Sequence, residues 1–242
     1  MDRLLELFRS YFGEEADEIL PLKAHGSDRR IYRLRNAHRS VIGVSNANQA
    51  ENVAFIEFSR HFRTAGLPVP EIYTYDLDQG IYLEEDLGPH TLFDLLLQKR
   101  SAENPLPAEI EELYHKAAQR LPDFQVKAGK SVNFDLCFPR KDFDARAMKW
   151  DLNYFKYYFL KLANIPFDED RLEEDFGGLI DFLVQAERGF FLYRDFQARN
   201  VIIRDGEPYF IDYQGGCRGA LQYDIASLLS SARASLPTDA KT

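Results

Sequence analysis

The chain has 242 residues, with 30 Lys and Arg against 39 Asp and Glu, a formal net charge of −9. Hydrophobic residues make up 45%, charged residues 29% and aromatics 14%, which excludes a disordered chain and suits one or two globular domains. The acidic balance excludes a general nucleic-acid binder, because neutralising phosphates takes surplus Lys and Arg. No apolar run approaches the ~20 residues of a membrane span. The start, Met1-Asp2-Arg3-Leu4-Leu5-Glu6, places acids where a signal peptide has its apolar run. Cys137 and Cys217 are too few and too far apart for a disulfide framework or a zinc ribbon. A cytoplasmic, reducing setting is expected.

Residues 1–19 place Leu4, Leu5, Phe8, Tyr11 and Phe12 at helical spacing, which predicts an amphipathic helix. Residues 31–35 and 40–44 read as strands joined by 36–39, a hairpin. A helix is predicted over 49–65, with Phe55, Phe58 and Phe62 on one side and Gly66, Pro68 and Pro70 as stop signals. Two more strands are predicted at 71–75 and 80–84. After Gly88-Pro89 the periodicity becomes helical. Ile110, Leu113, Tyr114, Ala117, Ala118, Leu121 and Phe124 form one stripe, and Phe176, Leu179, Ile180, Leu183 and Val184 another. Between them the aromatic run Trp150 to Phe159 reads as core packing. The organisation is α+β: a small sheet lobe over 1–88 and a mainly helical lobe over 89–242.

The segment from Phe191 to Asp212 carries the chemistry. Asp205-Gly206 between two apolar runs predicts a tight hairpin, with Arg204 opposite Glu207 and Val201 opposite Phe210. Asn200 then faces Ile211, and Asp212 lies one position beyond. Diagonal neighbours across a ladder sit roughly 7–8 Å apart, a spacing at which two oxygen-bearing side chains can share one cation. Mg²⁺ takes hard oxygen ligands together with phosphate oxygens. Asp195, five residues before Asn200, could accept a hydroxyl proton. One base and two metal ligands suffice for phosphoryl transfer, where catalysis is mostly positioning and charge neutralisation.

Tyr193-Arg194-Asp195-Phe196-Gln197-Ala198-Arg199-Asn200 and Ile211-Asp212-Tyr213-Gln214-Gly215 resemble the aminoglycoside phosphotransferase and choline kinase superfamily, of protein-kinase-like fold. The resemblance is closest to its bacterial members that phosphorylate N-acetylmuramate or N-acetylglucosamine at the anomeric hydroxyl. It implies an ATP-dependent kinase, with Asp195 as base and Asn200 and Asp212 holding Mg²⁺. Asp224, in Gln222-Tyr223-Asp224-Ile225, would anchor the catalytic loop from below, and an N-cap role is compatible with that. Gly26-Ser27-Asp28-Arg29-Arg30 resembles a phosphate-covering loop. Leu83 to Gly88 resembles the hinge, where backbone groups near Glu85 and Leu87 would pair with adenine while the acidic side chains stay solvated. Asp151, Gln197 and Arg199 are the candidates for contact with acceptor and transferred phosphate.

The resemblance has departures. The strand at 40–45 lacks the lysine that protein kinases pair with a helix glutamate, here Glu51 rather than Glu57. Arg30 or Arg33 is expected to supply that charge. Tyr193 replaces the usual histidine. The scattered histidines have no metal-ligand spacing. The superfamily continues with further helices beyond the point reached at Thr242, so the helical lobe is expected to be incomplete at its C-terminus. The acceptor stays open: an amino sugar, an aminoglycoside or choline-like amine, or nucleotide binding without turnover.

Overall fold

A computed structural model describes residues 2–22 and 29–241. Helix α1 (Asp2–Phe12) stops earlier than its periodicity predicts, and strand β1 (Glu18–Leu22) follows. Pro21 obscures this strand in the sequence. It is tolerated because β1 lies at the sheet edge, where the missing N–H costs little. Strands β2 (Arg30–Arg35) and β3 (Ser40–Ser45) form the expected hairpin. Helix α2 (Gln49–Thr64) follows, with the Asn48 side chain accepting from the Glu51 N–H as its cap. Strands β4 (Ile72–Asp76) and β5 (Ile81–Glu85) complete a five-stranded antiparallel sheet ordered β1-β2-β3-β5-β4.

Strand alternation divides the labour of this sheet. Val41, Ile81 and Leu83 pack against Leu4 and Phe8 of α1. Ile42, Val44 and Tyr82 face the other way, toward α2 and the helical lobe. Phe55, Phe58 and Phe62 of α2 are nearly inaccessible. Each such aromatic contributes on the order of 1.5–3 kcal/mol of burial. They belong to one hydrophobic cluster with Phe124, Phe191 and Phe210 of the second lobe, so the lobes share a core.

Helix α3 (Leu92–Lys99) begins in a capping box between Thr91 and Asp94. Helix α4 (Ala108–Pro122) buries Ile110, Tyr114, Ala117 and Leu121, the predicted stripe. Helices α5 (Ala145–Phe155) and α6 (Glu169–Leu183) pack on each other through Ala147, Met148 and Ile180, with the Lys149 ammonium over the Phe176 ring. Strand β6 (Phe190–Leu192) leads to β7 (Val201–Arg204) and β8 (Glu207–Phe210), a two-stranded hairpin. Strand β9 (Cys217–Gly219) returns to pair with β6, and α7 (Gln222–Leu229) follows. The hairpin is tied to both sides of the interlobe link, with the Ile203 N–H bonded to the His90 carbonyl and the Phe210 N–H to the Pro68 carbonyl, each at 2.9 Å.

The aromatic run corrects one expectation. Trp150 and Tyr154 are each 65% exposed and Tyr158 63%, so they are not core. The backbone widens after α5, with the Lys161 N–H reaching the Lys156 carbonyl. Lys156 turns inward onto Glu169 and Glu173 while the rings stack along the outer face, Tyr154 on Tyr158 and Phe155 on Phe159. Leu179 and Leu183 of α6 are likewise exposed. No helix among the described residues is long and apolar enough to cross a membrane.

Candidate active site

The loop after β6 is held from beneath by Asp224. Its fully buried carboxylate accepts from the Tyr193 N–H at 2.8 Å, the Arg194 N–H at 2.9 Å and Gln125 Nε2 at 2.7 Å. Burial pushes its pKa up to about 6, against the pull of these hydrogen bonds. Asp224 lies inside α7, whose cap position is Leu221, so the loop anchor is its role and the N-cap is not. Arg194 has φ +76°, a conformation a non-glycine residue adopts only when its surroundings enforce it. Asp151 supplies that enforcement through a two-pronged contact at 2.7 and 3.1 Å, with the Tyr223 hydroxyl at 2.7 Å and the Phe143 ring beneath the guanidinium. The Tyr193 hydroxyl donates to the Ile211 carbonyl at 2.6 Å, tying the loop to the far strand.

The hairpin has the register read from the sequence, and positive φ at both Asp205 and Gly206 defines a type I′ turn. At its open end, Asn200 Nδ2 donates to the Asp195 carbonyl at 2.8 Å and to Asp212 Oδ2 at 3.2 Å. One amide thus gathers three residues spread over 18 positions of sequence. With Nδ2 engaged, Oδ1 is the atom of that amide left for a cation. Asp212 also sits at positive φ, +71°, and accepts from Gln214 Nε2 at 2.8 Å. Burial raises the Asp195 pKa, as does the Asp212 charge, while Arg194, Arg199 and Arg29 oppose them.

The opposite wall comes from the sheet lobe. Arg29, just before β2, places a guanidinium nitrogen 2.5 Å from Asp212 Oδ1 and its Nε 3.6 Å from Glu51. Burial works against that charge, yet Asp212, Tyr82 and Glu51 hold the Arg29 pKa above its ordinary value. Arg29, rather than Arg30 or Arg33, is therefore the cation beside the α2 glutamate. Arg30 lies exposed on β2. Arg33 is committed to Asp86, at 2.7 and 2.9 Å, and to the Gly88 carbonyl at 3.2 Å. Glu57 pairs with Arg60 on the surface. The hinge acids are not solvated either. Asp86 is enclosed by Arg33 and the Ser40 hydroxyl, and Glu85 accepts from Arg204 at 2.8 Å. Gly26, Ser27 and Asp28 lie outside the described residues.

Two cavities meet at this centre. The inner one, of about 400 Å³, is walled by Ile31, Ile42, Val44, Ile202 and Ile211, is edged by Glu84 to Gly88, and reaches Asn200. The outer one, of about 680 Å³, holds Asp195, Asn46, Glu51, Gln214 and Gly215. Arg29, Arg199 and Asp212 line both. Glu85 and Leu87 edge the inner cavity. Gln197 faces a separate recess of about 160 Å³ beside Thr91 and Arg199. Asp151 lines neither main cavity; both its oxygens are taken by Arg194. Sequence reasoning missed Glu84, Gln214 and Gln125. Only strand alternation, carried one residue further along β5, points to Glu84.

A two-lobed cleft with a loop bearing Asp195, an Asn–Asp pair and an apolar inner cavity defines a kinase-like phosphotransferase architecture. Residues 19–241 match the model of the phosphotransferase enzyme family that includes the aminoglycoside phosphotransferases, and the chain belongs to that family. It is 25% identical over 225 residues to an N-acetylmuramate/N-acetylglucosamine kinase of Pseudomonas aeruginosa, covering 91% of this chain and 62% of that protein. A Pseudomonas putida kinase of the same name is 24% identical, over 98% of this chain and 67% of its own length. The chain thus spans about two thirds of the length of these relatives. Among solved structures, the ADP-bound aminoglycoside phosphotransferase APH(2'')-Ib superposes with a TM-score of 0.69 at 15% identity, covering 99% of this chain and 79% of its own. The choline kinase LicA from Streptococcus pneumoniae gives 0.62 at 16% identity, covering 100% and 77%. At such identity these two speak for the fold alone.

Proposed function

We propose that the protein is an ATP-dependent kinase that phosphorylates a hydroxyl of an amino sugar of the N-acetylmuramate or N-acetylglucosamine type. The observation that carries this reading is the junction of the two cavities at Arg29, Arg199 and Asp212, with Asn200 on the inner side and Asp195 on the outer. A nucleotide seated in the inner cavity puts its base between the isoleucine walls, against the hinge at Glu85 and Leu87, and its phosphates at the junction. The acceptor hydroxyl enters from the outer cavity and gives its proton to Asp195 as it attacks the terminal phosphorus. Residues 1–88 would form the nucleotide lobe and 89–242 the catalytic and acceptor lobe.

The donor set suits magnesium. Asp212 and Asn200 Oδ1 would hold the ion with hard oxygens, alongside phosphate oxygens of the nucleotide. Bound there, the ion would neutralise charge on the phosphates. Arg29 and Arg199 present planar forks at the same junction, suited to phosphate oxygens. By resemblance, Gly26, Ser27 and Asp28 would belong to the phosphate-covering loop, and Gln197 would support the catalytic loop from its own recess. Asp151 acts through Arg194, holding the loop that carries Asp195. The acceptor choice rests on the two amino-sugar kinase relatives.

An ADP-release assay across N-acetylmuramate, N-acetylglucosamine, aminoglycosides and choline tests the reading, with Asp195→Ala as control. Turnover confined to the amino sugars and abolished in the variant is expected. ADP binding without transfer to any acceptor overturns it.

A further inference from the structure

The recess of about 160 Å³ beside the Asp195 loop is rich in cationic donors that the fold leaves unpartnered. Phe93, Ala198, Arg199, Ser231 and Arg233 wall it. Arg199 and Arg233 also line the outer cavity with Asp195, so the recess is a side arm of that cavity. Neither guanidinium has a hydrogen bond or ion pair with another described residue. Asp94 is the one acid of the recess, and it is engaged: its Oδ2 accepts from the Thr91 N–H at 3.2 Å and the Thr91 hydroxyl at 2.7 Å.

The turn at 232–234 that carries Arg233 is held on both flanks. Ala234 and Leu236 are buried in the core shared by the two lobes. The Ala234 carbonyl accepts from Arg100 at 2.8 Å, and the Ser235 hydroxyl donates to the Ala232 carbonyl at 2.8 Å. Arg233 itself is exposed, at the edge of both cavities. It does not line the inner cavity.

We propose that the recess takes a carboxylate-bearing arm of the acceptor and that Arg233 is the residue that reads it, so that N-acetylmuramate is preferred to N-acetylglucosamine. This rests on the acceptor occupying the outer cavity. The two sugars differ in one group, a lactyl ether that carries a methyl and a carboxylate. Phe93 and Ala198 offer apolar surface to the methyl, and a guanidinium fork matches the carboxylate. The recess is well below the roughly 300–1,000 Å³ of a pocket that holds a drug-sized ligand, so it admits an arm and not a sugar ring or a nucleotide. Charge gives the same answer. The outer cavity already holds Asp195, Glu51 and Asp212, and Arg29 is engaged by the last two. A further carboxylate is repelled there unless a cation meets it. Arg199 stands at the junction shared with the phosphates. Arg233, on the outer side alone, is the cation left for the acceptor among the described residues lining these cavities.

The test is calorimetric titration of the full chain, loaded with ADP, with N-acetylmuramate, its uncharged carboxamide and N-acetylglucosamine. Wild type should bind N-acetylmuramate about ten-fold more tightly than the other two, as a charge-assisted fork predicts. Raising NaCl to about 0.5 M should narrow that preference, because the pair is exposed to screening. Arg233→Met keeps the apolar stem and loses the charge, so the preference should disappear while N-acetylglucosamine affinity changes less than about two-fold. Arg233→Lys should recover part of the preference, since an ammonium supplies the charge without the fork. Thermal melts check that each variant folds, and the carboxamide comparison, made on wild type, stands whatever they show. Wild type that binds the carboxamide as tightly as the acid overturns the inference. So does an Arg233→Met protein that keeps the preference, or one that loses affinity for all three sugars equally. Wild type that binds neither N-acetylmuramate nor N-acetylglucosamine overturns the proposed acceptor class as well.

Discussion

The two walls of the cleft are built by different means. The floor, from the helical lobe, is locked many times over: Asp224 holds two successive backbone N–H groups, Asn200 ties Asp195 to Asp212, and two non-glycine residues are kept at positive φ. The facing wall, from the sheet lobe, meets that floor through the side chain of Arg29, which reaches Asp212 from just outside β2. Where reacting groups must hold their geometry to a fraction of an ångström, the chain spends several side chains on each backbone turn. At the cleft itself one long side chain reaches across, while the lobes are joined elsewhere by the Arg204–Glu85 pair, the Ser59–Tyr213 hydroxyl contact and the Phe210–Pro68 hydrogen bond. On the proposed reading, this difference suits the floor to the chemistry and the facing wall to nucleotide binding.

The largest expected effect lies on the floor. Asp195→Asn keeps the shape and removes the proposed base, so turnover should fall by about 10³-fold, within the range expected of general-base catalysis. ADP affinity, which depends on the inner cavity, should change less than three-fold. If affinity falls as far as turnover, the two cavities are not separable as described.

Asp224→Ala attacks the lock rather than the chemistry. It leaves the Tyr193 and Arg194 N–H groups buried without acceptors, at a cost of roughly 3 kcal/mol. A melt should show Tm lowered by roughly 6–12 °C for a chain of this size. A fall of only a degree or two would mean that the loop keeps its shape without this anchor.

Arg29 tests the other wall and its coupling to the floor. Arg29→Gln should raise the KM for ATP about ten-fold, because a fork aimed at phosphate oxygens is lost. It also removes a charge that lowers the Asp195 pKa. The acid limb of kcat/KM reports protonation of that base, so in the variant it should move to higher pH. Arg29→Lys should restore the limb's position more fully than the KM, since a point charge replaces the electrostatics but not the two-way geometry. An acid limb that stays in place in Arg29→Gln breaks the link between the two walls.

The floor was largely legible in the sequence because its logic is local. The Asp205-Gly206 turn determines the register, the register sets Asn200 beside Asp212, and Asp195 lies five residues upstream on the same segment. The facing wall was not, since its contacts join distant residues: Arg29 meets Asp212 across 183 positions, and Arg33 meets Asp86 across 53. From spacing alone, three nearby arginines look equivalent. Only the twist of β2 and the position of Asp86 send Arg33 to the hinge and leave Arg29 for the cleft. Strand β1 was hidden by Pro21, whose tolerance depends on an edge position that local pattern does not reveal. The aromatics near Trp150 look like core because hydrophobicity encodes a tendency to be covered, not what covers it. Asp151 was misplaced for a related reason: an acid on a helix looks available until the partner 43 residues away is seen to occupy both its oxygens.

The smallest effect belongs to the closed end of the same hairpin. Gly206 has φ +78° with nothing within 4 Å of where a Cβ would stand, so Gly206→Ala meets no clash and only the backbone penalty of that conformation. The cost should be about 1 kcal/mol, seen as a Tm lower by roughly 2–4 °C. The register is set jointly by this turn and by the burial of Val201 and Phe210, which would both leave the core if the strands slipped by one residue. That burial outweighs the turn penalty, so Asn200 and Asp212 should stay together and kcat should hold. A kcat that falls with Gly206→Ala while Tm barely moves would mean that the turn, rather than the packed strands, sets the spacing of the candidate metal ligands.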